Sequence, residues 1–379
     1  MSAASTLWPI FIFTLVMAAF SDASSTTEHT ELGARVYLKK DKFFFSILLV
    51  SMCLFVGLRL WCNDTGTYRD IYIYLTSSTG SIFKNIDWSL GASPGFQLIN
   101  TILKHLNFSS QSFLMFYSIV TNAIYLWFLK KYSPNFWLSI FLFWTMGVYT
   151  FTAAALRQCV AVAFALVGID RFLNNKKAQF ILWVLLATTF HAYSIIFLIV
   201  PFLTFKPWSK NTWYLFFGAF VAGISLESLL GTVLSVTDMM GKEYSANAFS
   251  GEGVNIFRLL VVWAPIILSV IAQKRLQHSD DSNNNLFFNL SSLNAAIMFI
   301  ALFGTANYFA RLANYFLIFQ TLALPWIISY FDDKSKKTLY VIVVLCYFLY
   351  FVFANVILTP FDSYFSKMTL FEYFKIIFD

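Results

Sequence analysis

The sequence predicts an all-α polytopic membrane protein, with about 10–12 transmembrane helices, a re-entrant hairpin and outer-face loops, all in one domain over residues 1–379. Three observations predict it. Apolar residues make up 59% of the chain and charged residues 12%, roughly half the charged share of a soluble globular protein. Forty-five Phe and eleven Trp add bulk that water-facing surfaces rarely tolerate. Apolar runs recur along the whole chain, separated by short basic connectors, and a spanning helix needs roughly 20 mostly apolar residues.

The candidate spans are residues 5–21, 43–60, 109–129, 136–152, 154–173, 211–231, 257–273, 286–304, 308–331 and 338–358. The first apolar run, Leu7 to Phe20, has the length of a signal peptide, but no Lys or Arg precedes Arg35. Without a basic n-region it reads as a retained first span. Six connectors carry Arg35/Lys39/Lys40/Lys42, Lys130/Lys131, Arg171/Lys176/Lys177, Lys206/Lys210, Lys274/Arg275 and Lys334/Lys336/Lys337. The excess of Lys and Arg on the cytoplasmic side of membrane proteins assigns all six inside. That accounts for 16 of the 26 basic residues and places both termini outside, with about ten full crossings.

Residues 178–205 break the parity, since they begin after one basic connector and end at another. One reading is a re-entrant hairpin with His191 near its tip, allowed at membrane depth where protein or water satisfies the backbone. The other is one long tilted span with a connector that breaks the charge rule. Residues 94–107 read as a short helix at the outer surface, opened by Ser93-Pro94-Gly95 with Pro in its first turn. Two large outer loops cover 61–93 and 232–256, and the aromatic tail from Pro360 reads as an interfacial amphipathic segment.

The net charge of +7 does not imply nucleic acid, because the basic residues form short clusters rather than a face that could track a phosphate backbone. Cys53, Cys62, Cys159 and Cys346 show no CxxC spacing and read as small buried hydrophobes. No His/Cys cluster has ligand spacing, so neither a metal nor another cofactor is expected.

Charge placed against the orientation rule carries the chemistry. Arg59, Arg157, Arg258 and Arg311 lie within or at the ends of apolar helices, all towards the outside. Arginine in hydrocarbon is costly and usually faces a cavity and a partner, although an arginine near a helix end also snorkels to the headgroups. Nearby carboxylates are few: Asp64 and Asp70, with Glu227 and Asp238 further on. The surplus of guanidinium groups suits a phosphate or pyrophosphate, bidentately, or the headgroup of an ordinary anionic lipid.

Two ionisable residues are candidate bases. Asp64 sits in Asn63-Asp64-Thr65-Gly66, where Asn63 and Gly66 suggest a tight turn. Tyr68 and Tyr72 follow it, rings that stack on sugars or belong to the interfacial aromatic belt. His191, in Thr188-Thr189-Phe190-His191-Ala192-Tyr193-Ser194, is the one histidine inside a long apolar stretch, and an intramembrane ionisable group is a functional candidate. A neutral His bonded between helices is the competing account. His29, His105 and His278 read as ordinary surface residues.

Together these landmarks, from about residue 55 to 330, resemble the EpsG-like branch of bacterial polysaccharide polymerases, related in role to the Wzy O-antigen polymerases. Gly57-Leu58-Arg59 with Asn63-Asp64 and Tyr68 is similar to the family's Arg, Asp, Tyr pattern. Leu156-Arg157-Gln158 with Ala161 resembles its Arg-Gln helix start, Phe190-His191 its Phe-His pair, and Arg311 with Tyr315-Phe316 its late Arg and Tyr-Phe. Ser93 departs from the pattern, which often has an acidic residue before Pro-Gly-Phe. If that carboxylate is the usual base, Asp64 or His191 takes the role here.

The resemblance implies a GT-C-like glycosyltransferase in the bacterial inner membrane, working without a bound metal. It would move a growing glycan from undecaprenyl pyrophosphate onto a lipid-linked repeat unit at the outer face. Arg157 and Arg311 would hold the pyrophosphate, with Arg59 and Arg258 in support. Tyr68, Tyr72, Gln158 and Tyr315 would contact glycan, and a flippase and a chain-length-regulating co-polymerase would be partners. The rivals are a lipid-linked oligosaccharide flippase, which typically shows repeats and midplane polar residues, a membrane O-acyltransferase using His191, and a structural scaffold.

Overall fold

Each expected span overlaps a helix, and several of them are made of two pieces. The computed structural model describes residues 3–29, 35–75, 83, 86–239, 253–303, 306–357 and 362–363. Its helices are α1 (Ala3–Ala23), α2 (Phe43–Gly57), α3 (Thr65–Ile73), α4 (Pro94–His105), α5 (Ser110–Tyr132), α6 (Phe136–Thr145), α7 (Val148–Ala154), α8 (Leu156–Leu173) and α9 (Lys177–Phe190). They continue as α10 (Lys210–Ile224), α11 (Leu226–Met239), α12 (Ile256–Ile271), α13 (Gln273–Leu276), α14 (Ser282–Ile300), α15 (Ala306–Ala313), α16 (Leu317–Ser329) and α17 (Asp333–Phe351). Among the described residues two 3₁₀ helices, η1 (Leu90–Ala92) and the unusually long η2 (Ala192–Leu203), join them. Short antiparallel pairs link β1 (Thr26–His29) to β2 (Arg35–Lys39), and β3 (Arg59–Trp61) to β4 (Asp362–Ser363).

Among the described residues, two helices can by length and composition cross a membrane unaided, Ser110–Tyr132 and Asp333–Ala354, and a third if α6 and α7 are one span bent by 49°. Six more apolar helices among these residues have only 10–17 residues. Hydropathy therefore counts more crossings than there are continuous helices able to make one. The bend between α6 and α7 falls at Gly147, whose φ of 76° is left-handed and costs glycine little. Stripes of exposed Ile, Leu and Phe run along α9, α10, α12 and α17, surface that only an apolar solvent satisfies. The chain is an all-α membrane protein.

The basic connectors gather at one end of the bundle. Lys40 donates to the carbonyls of Lys130 and Lys131, Lys131 pairs with buried Asp170, Lys206 with Asp280 at 2.9 Å, and Arg275 donates to the Tyr330 carbonyl. Burial and the charges of Lys130 and Lys131 pull the Lys40 ammonium down to about 8.

This lysine end shows how residues 178–205 run. The chain leaves it at α9, turns at His191, and comes back through η2, where Asn289 donates to the carbonyls of Leu203 (2.7 Å) and Phe205 (2.6 Å). Two residues before Asn289, Phe287 packs edge-on against Tyr132, at the lysine end of α5. The stretch is a hairpin, not one long span. Its arms of 14 and 12 residues reach about 21 Å as an α-helix and about 24 Å as a 3₁₀ helix, short of the ~30 Å hydrocarbon core.

The remaining expectations divide. Residues 94–107 do form a helix, α4, which opens on Pro94 and lies against α9. A Cβ on Gly95 would stand 2.2 Å from Thr189 Oγ1, so this close approach requires glycine. The outer stretch 232–256 is helical as far as Met239, and 240–252 lie outside the described residues. Most of the tail from Pro360 lies outside them too. Cys53, Cys62 and Cys159 are buried, whereas Cys346 is exposed on α17, contrary to its expected burial.

Candidate active site

Four separated segments converge on a cavity of about 170 Å³ at the end opposite the lysines. Asn63, Asp64 and Tyr68 come from the start of α3. Phe151, Ala155, Arg157 and Gln158 come from the α7–α8 junction. His191 and Tyr193 form the hairpin tip, and Tyr308, Arg311, Leu312 and Tyr315 lie on or just after α15.

Each wall has a local cause. Ala155 (φ −114°, ψ 65°) breaks the helix between α7 and α8, and its methyl group cannot cap α8. The first N–H groups of α8 therefore lie at the cavity wall without an intrahelical acceptor, where the helix dipole favours an anion. Arg157 is the second residue of that helix. It reaches Ser93 Oγ at 3.4 Å, lies over the Phe96 ring at 5.8 Å, and stands beside Tyr68. Its Nε has no hydrogen-bond partner among the described residues. A cation at a helix N-terminus is locally unfavourable, so both positive features together favour a bound anion.

Ser93 thus touches Arg157, with a left-handed φ of 59°, and an acidic residue at this position would neutralise that guanidinium. Burial raises the Tyr68 phenol above its ordinary value, with Arg157 opposing, so Tyr68 stays protonated and can donate.

Asp64 stands at the N-cap of α3 but makes no capping bond. The turn that carries it is made by Asn63, at φ 44°, a left-handed conformation Asn tolerates. Gly66 lies within α3 and a Cβ there would meet nothing, so it does not shape the turn as expected. Behind the turn, Arg59 is 1% exposed. It donates to Thr65 Oγ1 at 3.0 Å and to the Val56 carbonyl at 2.8 Å, and Thr65 Oγ1 donates to the Cys62 carbonyl at 2.7 Å.

His191 adopts an extended φ/ψ of −152°/113° between α9 and η2, and its Nδ1 bonds the Tyr315 hydroxyl. Gln158 Nε2 donates to the Arg311 carbonyl at 2.8 Å. Those two bonds tie the hairpin tip, α8 and α15 into one wall.

Seven of the ten residues singled out from sequence share this cavity: Asp64, Tyr68, Arg157, Gln158, His191, Arg311 and Tyr315. Three do not. Arg59 lies beneath it. Tyr72 stacks on Phe113 at 4.5 Å and donates to the Phe108 carbonyl at 2.7 Å, so it docks α3 onto α5 instead of facing a glycan. Arg258 lines a neighbouring cavity. Sequence reasoning missed Tyr193 and Tyr308, whose rings meet edge-on at 5.9 Å. Tyr308 is three residues before Arg311, one helical turn away on the same face, and that spacing could have found it.

Among the described residues, none of Arg59, Arg157, Arg258 and Arg311 forms an ion pair. The fold and cavity define a membrane protein with a cationic, tyrosine-lined site and a carboxylate beside it. The chain belongs to the EpsG family, whose model matches residues 42–373, and this membership suggests a polysaccharide-polymerase type of function. No curated protein and no solved structure matches it.

Proposed function

We propose that the protein is a polysaccharide polymerase of the bacterial inner membrane. It would cross that membrane many times in a GT-C-like arrangement and transfer a growing glycan from undecaprenyl pyrophosphate onto a lipid-linked repeat unit at the outer face. A flippase would supply the repeat units and a co-polymerase would set chain length. The observation that carries the reading is one cavity holding Arg157, Arg311 and an uncapped helix N-terminus beside the carboxylate of Asp64.

The acceptor sugar's hydroxyl gives its proton to Asp64, whose carboxylate makes no capping bond. The oxygen attacks the donor's anomeric carbon, and the bond from that carbon to the diphosphate oxygen breaks. Charge develops on the leaving diphosphate, where preorganised cations and N–H groups stabilise it. Arg157, Arg311 and the α8 N-terminus serve there. His191, held by Tyr315, and the tyrosines Tyr68, Tyr193 and Tyr308 shape the pocket around the sugars. Asp64 is preferred to His191 as base because its carboxylate lines the cavity without a capping bond, whereas a Tyr315 hydroxyl donating to Nδ1 would put the imidazole's proton on Nε2 and leave it no lone pair to accept another.

Glycan length on gels tests this, using cells lacking the protein and complemented with Arg157→Ala, Arg311→Ala or Asp64→Ala at matched expression. The expected result is a collapse of the long ladder to a single repeat unit. Full-length ladders from both arginine variants would overturn the pyrophosphate site, and loss of even the single unit would indicate a flippase.

A further inference from the structure

Arg258 has a cavity of its own. This second cavity, about 250 Å³, is lined by Thr150, Phe151, Arg258, Asn314, Tyr350 and several apolar neighbours. It opens where helices are interrupted: beside Gly147 between α6 and α7, and at Asn314 between α15 and α16. Phe151 lines both cavities, so the two share a wall.

Three features mark it as an anion site. Arg258 is the third residue of α12, at the helix end whose dipole disfavours a cation and favours an anion. Among the described residues its one side-chain hydrogen bond goes to a neutral partner, Asn314 Oδ1 at 3.1 Å, and no carboxylate pairs with it. An arginine held in a membrane protein without a counter-charge is costly unless a ligand supplies one.

The surroundings point to a lipid. Arg258 and Tyr350 sit on α12 and α17, which both pack on α16 and are joined by Tyr347 Oη donating to the Val261 carbonyl at 2.8 Å. Beside the cavity α12 exposes Phe257 and Leu260 and α17 exposes Leu349, with Phe353 exposed just past its end. The stripe continues along α17 to Leu345 and along α12 to Ile271. A phosphate at Arg258 therefore has apolar surface beside it for a long hydrocarbon tail.

We propose that this cavity holds the diphosphate of the acceptor's polyprenyl carrier, with the polyprenyl chain lying against α12 and α17. The assignment rests on the polymerase reading. In that reaction the donor's diphosphate leaves and the acceptor's does not react. The first cavity has a carboxylate and an imidazole, whereas among the described residues the second is lined by neither, which equips it to hold a diphosphate but not to act on it. The shared Phe151 wall keeps the two carriers side by side.

Two measurements on the full-length protein in nanodiscs test this. In the first, donor and acceptor are varied separately. Arg258→Ala should raise the KM for acceptor by about tenfold to a hundredfold, as expected for loss of a charge-assisted contact, while kcat and the donor KM hold, the pattern of lost uniform binding. Arg258→Lys should fall between wild type and Arg258→Ala. An unchanged acceptor KM, or equal shifts for donor and acceptor, would overturn the proposal.

The second measurement counts bound undecaprenyl diphosphate by native mass spectrometry and needs no turnover. Wild type should bind two molecules, Arg258→Ala one, and Arg157→Ala/Arg311→Ala one. Retention of that pattern by a protein that polymerises nothing would keep the second lipid site and discard the polymerase reading. A single molecule in wild type, unaffected by Arg258→Ala, would sink the second site. Equal displacement by phosphatidylglycerol would sink the carrier assignment. Thermal unfolding of each variant separates lost binding from lost folding.

Discussion

The two ends of the helical bundle treat charge in opposite ways. At the lysine end, Lys131 meets Asp170, Lys206 meets Asp280, Lys336 approaches Asp333, and Lys40 and Arg275 donate to backbone carbonyls. At the other end, Arg157, Arg311 and Arg258 line two cavities and pair with no carboxylate among the described residues. The first arrangement is satisfied within the protein, and the second leaves its guanidinium groups without a counter-charge among the described residues. Charges of equal sign therefore have different work. Those at the lysine end anchor helix termini, and under the proposed function those at the arginine end would meet phosphate.

The sharpest way to break this comparison is at the base. Asp64→Asn keeps the shape of the turn but cannot accept a proton, so transfer in an assay with lipid-linked substrate should fall by about 10²–10⁴-fold. Activity within a few-fold of wild type would move the base to His191. Either arginine of the first cavity comes next. Arg157→Ala or Arg311→Ala should cost about 10²–10³-fold, the scale for losing one preorganised donor to a developing oxyanion. Lysine in its place should recover part of that, since charge persists but the bidentate fork does not.

Arg59 tests whether a fully buried arginine belongs to the ligand group or to the anchoring group. It lies at the arginine end but does not line the cavity. It secures Thr65 and so the turn bearing Asp64. Arg59→Lys should lower kcat by about tenfold, as a slight misplacement of the catalytic group does, without raising the KM for donor. A donor KM that rises as much as in Arg157→Lys would instead make Arg59 a phosphate ligand.

Much of this contrast was legible in the sequence, because it depends on where Lys and Arg fall relative to apolar runs. The positive-inside rule sorted the basic connectors from the four arginines, and the structure gathers the connectors at one end. The hairpin was legible through parity, since the arms on either side of His191 are too short to cross. Helix interruptions were not. Hydropathy averaged over a span does not register Gly147 or the break at Asn314, yet those breaks create the second cavity. Nor does it separate Tyr72 from Tyr68. Both rings lie in the same short helix, and only packing on Phe113 turns Tyr72 away from the site. Arg59 and Arg157 likewise look equivalent as lone arginines, and only the fold places one under the turn and the other in the cavity.

The smallest expected effect on activity comes from the lysine end, and it is the control on which the comparison rests. Asp170 is 2% exposed. Besides Lys131, it accepts from the Tyr132 hydroxyl at 2.7 Å and lies 4.0 Å from Arg171 Nε. Lys131→Ala removes one of its three partners and leaves a buried carboxylate less compensated. Because Lys131 itself is 40% exposed, solvent screens the pair, and the cost should be about 1 kcal/mol, not the several of a fully buried pair. Thermal unfolding should register that loss, while kcat and both KM values per folded molecule stay at wild-type levels. If Lys131→Ala instead weakened donor binding as the arginine variants should, positive charge would act through the field of the whole protein. The division between anchoring lysines and ligand-binding arginines would then fail.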